Sequence, residues 1–544
     1  MVFERTSFAL LILALSFGAG CGSEDKSTAS DAHGFEPAPS NAAGSANLGI
    51  GDPQASTPNI PGAGAAPLPP EKELDQSFRA PVATGKVLWS ANPDSGRVAL
   101  IDAKTLSVRM TNAGFGPTYL AAVPSKAGTD SAIVINVGSH DASWFVASGT
   151  DINVVTIATH VGANAWSVSA DGRFAIAWTD AARIEGGQPD SVNGYSELTV
   201  IDLATSPPIS TRLSVGFRPS QVVFDAGAKH AYAVVDEGIS VLNLGDHPAL
   251  AELLEVSTQN QAAHARDVNI APDGSFAVVR VDGSANVEII KLANNVRQVV
   301  GLESSVTDLD LSADGKTATA VLGNAVPPKV VRFAVPNPGL DPSLFDNATV
   351  PGELVRSVTL APDGNLALLY ANAVPSSHLT LLDTAPGDQF AFRTVDLQGA
   401  VQSVYISPDS AAAITFQAPP PGSKKRGLFS IVPTGSPRAP RIVGTDALPA
   451  EITFSDAALG KALITVHDSV SSVRGVYVIG LANLEQNFVP LATEPLPGAT
   501  GIVPLAKRGF VAQKHPEGRI TFIDLDTGAA QTLSGFELAA RIVQ

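Results

Sequence analysis

Residues 219–244 read PSQVVFDAGAKHAYAVVDEGISVLNL, and segments of the same pattern recur about every 45 residues along most of the chain. Residues 265–292 read ARDVNIAPDGSFAVVRVDGSANVEIIKL, and residues 306–322 and 355–371 begin two more units with VTDLDLSADGKTATAVL and VRSVTLAPDGNLALLYA. Each unit has an alternating apolar segment, a turn, a second segment of small and β-branched residues, a polar loop and a third strand. Such a repeat indicates stacked supersecondary units, and four short strands per unit predict the blades of a β-propeller.

The number of units sets the size of the ring. Candidate inner strands begin near Thr118, Ala165, Ser220, Arg266, Thr307, Arg356, Gln402, Glu451 and Gly501. Residues 86–108 have the second and third strands of a tenth unit but lack a first, and residues 536–543, FELAARIV, resemble the missing one. Pairing of the N- and C-terminal strands would close the ring and leave no sheet edge open.

The sequence therefore predicts an all-β chain with a single closed propeller of seven to ten four-stranded blades over residues 79–544. Two alternatives remain open. The weakest units, near Thr118 and Glu451, could be additions to a seven- or eight-bladed ring, or the repeats could form two smaller propellers.

Composition excludes several classes of function. The chain of 544 residues has 35 Lys and Arg against 52 Asp and Glu, a formal net charge of −17. This balance argues against nucleic-acid binding, which needs basic surface to displace counterions from phosphates. Only 16% of residues are charged, and 48 Gly and 40 Pro suit short strands joined by many turns. After the N-terminus no apolar run reaches the roughly 18 residues of a membrane-spanning helix.

The N-terminus carries a predicted export signal. Residues 8–17 are apolar, and Gly18-Ala19-Gly20 leads into Cys21, the one cysteine of the chain. A short apolar segment followed by small residues is typical of a secretory signal. The segment resembles a bacterial lipobox, which implies cleavage before Cys21 and diacylglycerol on its sulfur. By the same resemblance, Gly22 in place of Asp favours the outer membrane or cell surface, with the periplasmic face as the alternative. An ordinary signal peptide cut near Gly20 is the other interpretation.

Residues 22–78 are rich in Pro, Gly, Ala and Ser and nearly lack aromatic residues. Such a composition buries too little apolar surface to offset the entropy of ordering, so it predicts a disordered tether. The expected organisation is a lipoprotein signal with its cysteine over residues 1–21, a tether over 22–78 and a propeller over 79–544.

Three segments carry a family resemblance. RVALIDAKTLSV, ELTVIDLATSPPISTRLSVGFRPSQVVFDA and RITFIDLDTGAAQTLSG resemble the YVTN-type surface-layer propeller repeat, which is related to WD40-like, lactonase-like and cytochrome cd1-like propellers. The resemblance implies the fold but no single function, because such folds host enzymes, electron carriers and binding scaffolds. It also implies a structural role in the first hairpin of each blade for Asp171-Gly172, Asp273-Gly274, Asp314-Gly315 and Asp363-Gly364.

Propellers usually bind ligands in the funnel on the face formed by the loops between second and third strands and the loops that enter each first strand. The residues predicted to line it are Asp180, Arg218, Asp236, His264, Arg266, Asp282, Arg356, His467 and Asp468. Carboxylate oxygens gathered there could hold Ca²⁺. The alternative is that they are solvated loop residues, and no other cofactor is predicted.

The sequence lacks the residues that several kinds of chemistry require. Haem attachment needs Cys-x-x-Cys-His, which one cysteine cannot supply, and no His-Glu-x-x-His zinc motif is present. No Gly-x-Ser-x-Gly elbow and no phosphate-binding loop is present either. A copper or zinc cluster of His140, His467 and His515 has no support from spacing. Arg218, His264 and Arg266 are the grouped candidates for a lactonase, although a salt-bridged or hydrogen-bonded surface role is the favoured interpretation.

Two further features bear on partners. The inserted loop 417–427 brings together Lys424, Lys425 and Arg426, which could contact an acidic partner or a polysaccharide or could be solvated. The four tryptophans could pack the core or form a platform for sugar; they are Trp89, Trp144, Trp166 and Trp178.

The leading hypothesis is a non-catalytic, lipid-anchored envelope or cell-surface propeller that binds a protein or glycan partner. A lactonase-like, metal-dependent hydrolase and a carbohydrate-binding module are the alternatives. Convergence of Asp236, Asp282 and Asp468 would favour the hydrolase, an exposed tryptophan on the loops would favour the carbohydrate module, and exposed apolar patches would favour the scaffold.

Overall fold

A computed structural model describes residues 80–125, 129–184, 195–256, 266–336, 345–350, 352–384, 391–468, 470 and 472–536. The predicted signal, Cys21 and the tether lie outside these residues, as does His264. Within them, forty strands form ten four-stranded antiparallel sheets, one for each repeat, arranged as a β-propeller. In every sheet the strands pair in chain order.

The strands of the first five blades have the following bounds. Blade 1 comprises β1 (Val82–Ala83), β2 (Val87–Asn92), β3 (Arg97–Asp102) and β4 (Val108–Asn112). Blade 2 comprises β5 (Pro117–Ala122), β6 (Asp130–Asn136), β7 (Asp141–Ser148) and β8 (Asp151–Ala158). Blade 3 comprises β9 (Ala165–Val168), β10 (Phe174–Trp178), β11 (Glu197–Asp202) and β12 (Ile209–Ser214). Blade 4 comprises β13 (Gln221–Phe224), β14 (His230–Val234), β15 (Gly238–Asn243) and β16 (Ala249–Glu255). Blade 5 comprises β17 (Arg266–Ile270), β18 (Phe276–Val281), β19 (Asn286–Lys291) and β20 (Val296–Gly301).

The other five blades repeat the pattern. Blade 6 comprises β21 (Asp308–Leu311), β22 (Thr317–Leu322), β23 (Lys329–Ala334) and β24 (Asp346–Thr349). Blade 7 comprises β25 (Ser357–Leu360), β26 (Leu366–Tyr370), β27 (His378–Asp383) and β28 (Phe392–Asp396). Blade 8 comprises β29 (Ala400–Ile406), β30 (Ala412–Ala418), β31 (Gly427–Pro433) and β32 (Arg441–Thr445). Blade 9 comprises β33 (Pro449–Phe454), β34 (Lys461–Val466), β35 (Gly475–Gly480) and β36 (Glu485–Pro490). Blade 10 comprises β37 (Pro495–Val503), β38 (Arg508–Gln513), β39 (Arg519–Asp524) and β40 (Ala530–Ser534), and two 3-10 turns occur at Ala181–Arg183 and Pro504–Ala506.

The nine predicted inner strands are all confirmed, including the two weak units, which form blades 2 and 9. The expectation that blade 1 lacks a first strand is corrected, because Val82–Ala83 pairs antiparallel with β2. This strand has only two residues, too few to show an alternating pattern in the sequence. Of residues 536–543, which were expected to fill the position, only Phe536 is described.

The ring is closed by apolar packing between blades 1 and 10. Leu88 and Ile101 of blade 1 belong to the same buried cluster as Phe510 and Phe522 of blade 10, and Phe536 joins it. Similar clusters fill the other junctions between blades. The second and third strands of each blade are covered on both faces, which explains their nearly continuous apolar sequences.

The Asp-Gly turns have the structural role implied by the family resemblance. Gly172 has a φ of +70°, and Asp171 accepts a hydrogen bond from the backbone N–H of Arg173 at 3.0 Å. A Cβ atom at Gly172 would lie 1.8 Å from the carbonyl oxygen of Pro124 in blade 2, so both conformation and contact require glycine.

The antiparallel sheets give the ring two faces. We call loop face the side that carries the connections between second and third strands and the connections from each fourth strand to the next blade. We call turn face the opposite side, which carries the Asp-Gly turns and the connections between third and fourth strands. First strands therefore run from the loop face to the turn face.

Candidate functional site

The predicted funnel residues of blades 4 and 5 contact one another. Nε of Arg218 donates to Oδ2 of Asp236 at 2.6 Å, and the guanidinium lies 5.1 Å from the ring centre of Phe217. Arg266, which is buried, donates from Nη2 to the backbone carbonyls of Val235 at 2.6 Å and Asp236 at 2.7 Å. Burial lowers the pKa of Arg266. The contacts hold together the loops where these two blades meet.

The other predicted residues lie in separate pairs. Oδ1 of Asp282 accepts from Arg280 at 2.6 Å, and Oδ2 of Asp468 accepts from Arg426 at 2.6 Å. Asp180 caps the 3-10 turn and lies 3.2 Å from Nε of Arg183, and Nδ1 of His467 lies 3.8 Å from Glu494. The carbonyl of Arg356 accepts from Thr307 at 2.7 Å. Asp236, Asp282 and Asp468 are thus each paired with a different arginine, and in the described residues no three His, Cys, Asp or Glu side chains are grouped to hold a metal. Binding of calcium stays a prediction.

A carboxylate pair that sequence reasoning missed lies on β21. Asp308 and Asp310 are two residues apart in the strand, so their side chains share one face. Oδ2 of Asp308 accepts from the backbone N–H of Val358 at 2.8 Å, and Oδ2 of Asp310 accepts from that of Leu360 at 2.9 Å. Both acceptors reach from the first strand of blade 6 to the first strand of blade 7.

The environment of this pair shifts its titration. Burial and the neighbouring charge of Asp308 raise the pKa of Asp310 from 3.8 to about 7. Burial also raises the pKa of Asp308, against the opposing effect of its bond from Val358. Tyr370, at the end of β26, has its pKa raised to about 12, mainly by burial. A carboxyl group with a pKa near neutrality can donate or accept a proton at physiological pH.

Comparable bridges join other first strands around the central channel. Each runs from a side chain in one blade to the backbone of a neighbouring blade: Trp166 Nε1 to Tyr119 O at 2.9 Å, Asn269 Nδ2 to Leu309 O at 3.4 Å and Thr453 Oγ1 to Thr500 O at 3.1 Å. Asn269 has the place in blade 5 that Asp310 has in blade 6. Asp310 therefore has a charged side chain at a position where blade 5 has a neutral one. The repeat pattern alone does not reveal its pairing with Asp308.

One histidine is fully buried at the loop face. Nδ1 of His160 lies 2.9 Å from Oγ1 of Thr199, and Nε2 lies 3.3 Å from Oγ1 of Thr179. Burial, with a smaller effect of Arg212, lowers the pKa of His160 from 6.5 to about 4. This residue is neutral in the fold and ties two blade 3 residues to the preceding loop.

The tryptophans lie in strands, away from the tips of the loops. Trp89 and Trp178 are buried, and Trp144 and Trp166 are half-buried. The indole N–H of Trp144 donates to Ser131 at 2.9 Å. Their packing matches the core interpretation and does not supply the exposed platform that the carbohydrate hypothesis requires.

A groove of about 710 Å³ lies on the turn face, where blades 8, 9 and 10 meet. Arg438 and Arg441 come from blade 8, Asn483 and Asn487 from blade 9 and Asp526 from blade 10. Contacts across the blades hold its walls: Nη1 of Arg438 donates to the carbonyl of Ala482 at 3.3 Å, and Nε of Arg441 donates to Oε1 of Gln486 at 3.3 Å. We call it the three-blade groove.

The basic loop of blade 8 lies on the opposite face. Nζ of Lys425 lies 2.7 Å from Asp446, while Arg426 pairs with Asp468 as described above. Lys424 is exposed. Two of the three cations are therefore held by carboxylates of blades 8 and 9. No helix among the described residues has the length and apolar character needed to span a bilayer.

The known proteins that this chain resembles share little of its sequence. No protein-family model matches the chain, and no curated protein matches its sequence. The solved structure of dihydro-heme d1 dehydrogenase NirN in complex with DHE is 12% identical, with a TM-score of 0.41, over 77% of this chain and 74% of that chain. A eukaryotic initiation factor is 13% identical, with a TM-score of 0.47, over 76% and 95% of the two chains. A functionally unknown protein from Desulfotomaculum acetoxidans is 16% identical, with a TM-score of 0.33, over 58% and 95%.

Similarity this low says nothing about activity. The ten blades of the structure establish the β-propeller fold. The YVTN-type and lipoprotein assignments stay predictions.

Proposed function

We propose that the chain is a non-catalytic binding module of a bacterial envelope, held there by lipid on Cys21, and that a partner protein binds in the three-blade groove. The groove is the observation that carries the proposal. The groove is open to solvent and its walls are mostly polar, which is the character of a transient protein interface and not of an enclosed small-molecule cavity.

The lining of the groove suits an extended protein segment. Guanidinium groups of Arg438 and Arg441 can donate to backbone carbonyls, while amides such as Asn487 can both donate and accept. Arginine is enriched at protein interfaces and among the residues that dominate their binding energy. The bridges between blades fix the groove before binding, which lowers the entropic cost of association.

Two observations support binding rather than catalysis or sugar stacking. The carboxylates expected to converge for a hydrolase are each neutralised by a separate arginine, among the described residues. The tryptophans expected for a carbohydrate platform are packed in strands. A glycan partner remains the other class that the sequence predicts.

Site-specific crosslinking tests the groove in the cells that make the protein. A photoreactive phenylalanine replaces Asn487, an exposed residue of the fourth strand in blade 9; the control carries it at Val296, exposed in the fourth strand of blade 5. We expect a discrete protein adduct from position 487 alone, and its loss in Arg441→Glu. Equal adducts from both positions, or binding of the purified chain to a glycan array with no protein adduct, would contradict the proposal.

Lipid attachment has its own test. Cells fed an alkyne fatty acid should label the full-length chain, and Cys21→Ser should abolish the label and release the protein from the membrane fraction. An unlabelled wild-type chain would refute the anchor without bearing on the groove.

One observation favours a second candidate function, a hydrolase that uses the central channel. Asp308 and Asp310 lie side by side on the first strand of blade 6, as a pair of carboxyls, and burial raises the pKa of Asp310 to about 7, which suits a general acid at neutral pH. The purified full chain would be assayed against a panel of lactones and esters. Turnover that peaks near neutral pH and disappears in Asp310→Asn would support the hydrolase, and equal turnover in the variant would exclude Asp310 from the reaction.

A further inference from the structure

Exposed apolar side chains are distributed unequally between the two faces of the ring. Among the described residues, eight large exposed ones lie in loop-face connections: Phe115, Val137, Val161, Val326, Leu354, Val374, Leu448 and Val470. Six more lie on fourth strands at the rim: Ile209, Leu250, Val296, Val299, Phe392 and Phe488. The turn face has Leu505.

The loop-face residues do not form one patch. They occupy two arcs of the ring, in or beside blades 1–3 and blades 6–9. Points in two separated arcs of one face define a plane across the ring. A flat, extended surface can engage both arcs at once, whereas a single small protein domain would reach only one.

Phe115 shows how rigidly such a side chain is presented. Its ring lies against the backbone of Gly138, where a Cβ atom would come within 2.2 Å of the ring. The backbone N–H of Phe115 is held by Ser139 at 3.0 Å. Although its backbone is held in this way, 72% of the surface of Phe115 is exposed, which makes it one of the most exposed large apolar residues described.

The chain also enters the ring at the loop face. The connection between β2 and β3 lies on that face, so β2 runs toward it, and β1, which is antiparallel to β2, runs away from it. Residues 80–81 therefore join the ring at the loop-face end of β1. Residue 80, from which the chain leads back toward Cys21, therefore lies on the side that carries the exposed apolar residues.

We infer that the loop face rests on a lipid bilayer, with side chains such as Phe115, Val161 and Val470 inserted at the boundary between headgroups and acyl chains. The inference rests on the proposed lipid anchor, since the anchor keeps the ring at the membrane. A diacylglycerol anchor carries two acyl chains and can hold the chain at the bilayer, and apolar insertion would fix which face of the ring lies against the membrane. The exposed Lys424 on the same face suits anionic headgroups.

The three-blade groove lies on the turn face, so it points away from the bilayer and stays open to a partner. The two surfaces are then used independently, one for the membrane and one for the partner.

Vesicle flotation of the full chain carrying Cys21→Ser tests the inference without the lipid. The vesicles contain phosphatidylethanolamine and phosphatidylglycerol at a ratio of about 3:1, chosen to supply anionic headgroups. A triple variant with Phe115→Asp, Val161→Asp and Val470→Asp should float about tenfold less, since charged side chains are costly at apolar membrane depths. Leu505→Asp is the matched control, because Leu505 is 66% exposed on the turn face, and it should float like the parent.

The outcomes separate this inference from the proposed function. Binding lost equally in the control and the triple variant, or no flotation of the parent chain, would overturn the docking while fatty-acid labelling of Cys21 could still hold. A discrete protein adduct from a photoreactive residue at position 115, with no flotation, would assign the loop face to a protein partner instead. Circular dichroism of all variants checks that loss of flotation is not loss of fold.

Discussion

Asp310→Asn should stabilise the propeller at neutral and alkaline pH. The wild-type carboxyl has a folded pKa of about 7 against 3.8 for the unfolded chain. Because the folded pKa is raised, the favourable contribution of the protonated group is complete below pH 3.8 and is lost as the pH rises through 7. A difference of about 3 pKa units corresponds to a stability loss of up to about 4 kcal/mol above pH 8.

Asparagine removes the charge and keeps the contact. Its Oδ1 can accept the backbone N–H of Leu360 as the carboxylate does. Asn269 already has the same place in blade 5, where it bonds the first strand of blade 6. The substitution therefore isolates the cost of ionisation from the cost of losing the bridge.

Denaturant unfolding of the full chain between pH 4 and pH 9 measures the effect. The wild type and Asp310→Asn should coincide near pH 4, and the variant should become more stable as the pH rises. Asp314→Asn in the same blade is the control: hydrogen bonds from Ser312 and Lys316 lower the pKa of Asp314, so its loss should destabilise above pH 4. A pH-independent difference between wild type and Asp310→Asn would refute the reasoning.

Other substitutions have expected effects of known sign. The pKa of His160 is about 4 in the fold against 6.5 in the unfolded chain, so the neutral side chain makes its full contribution to the free energy of unfolding above pH 6.5. That contribution falls by up to about 3 kcal/mol as the pH drops to 4. His160→Gln should flatten this part of the pH profile of unfolding. Gly172→Ala should lower the free energy of unfolding by about 3 kcal/mol or more, measured by heat or denaturant, because its Cβ would lie 1.8 Å from a carbonyl oxygen. Gly149 has a φ of +59° but open space around it, so Gly149→Ala should cost only about 1 kcal/mol. Phe522→Ala, which empties a fully buried site at the junction of blades 10 and 1, should cost about 4 kcal/mol and expose blade 1 to proteolysis.

The repeat made most of the fold predictable. Every blade needs a turn between its first two strands, and the Asp-Gly pairs mark that turn because glycine alone adopts positive φ without strain. Four blades carry such a pair, and in the others, as at Glu451, the spacing of the repeat and the apolar second strand predict the inner strand. The strand Val82–Ala83 has no such marker, and its two residues are paired only because β2 supplies the partner.

The site residues were less predictable, because pairing across strands does not appear as spacing in the sequence. Arg280 on β18 binds both Asp267 on β17 and Asp282 in the following loop, so a predicted funnel residue became part of a structural ion pair. Asp308 and Asp310 stood in the repeat as ordinary strand residues. Their shifted pKa values depend on burial against β25, which only the assembled ring supplies.

A structural bridge and a reactive group make different demands on Asp310. A structural bridge needs only an acceptor for Leu360, and the equivalent Asn269 in blade 5 bridges with a neutral side chain, by donating from Nδ2 to the carbonyl of Leu309. A carboxyl there lowers stability at neutral pH, which a purely structural role does not require. If Asp310→Asn is more stable than the wild type and the wild type hydrolyses nothing, the carboxyl serves only as a structural bridge between blades 6 and 7. If Asp310→Asn gains stability but loses turnover, the carboxyl that destabilises the fold is the reactive group, since functional sites often retain side chains that weaken the fold.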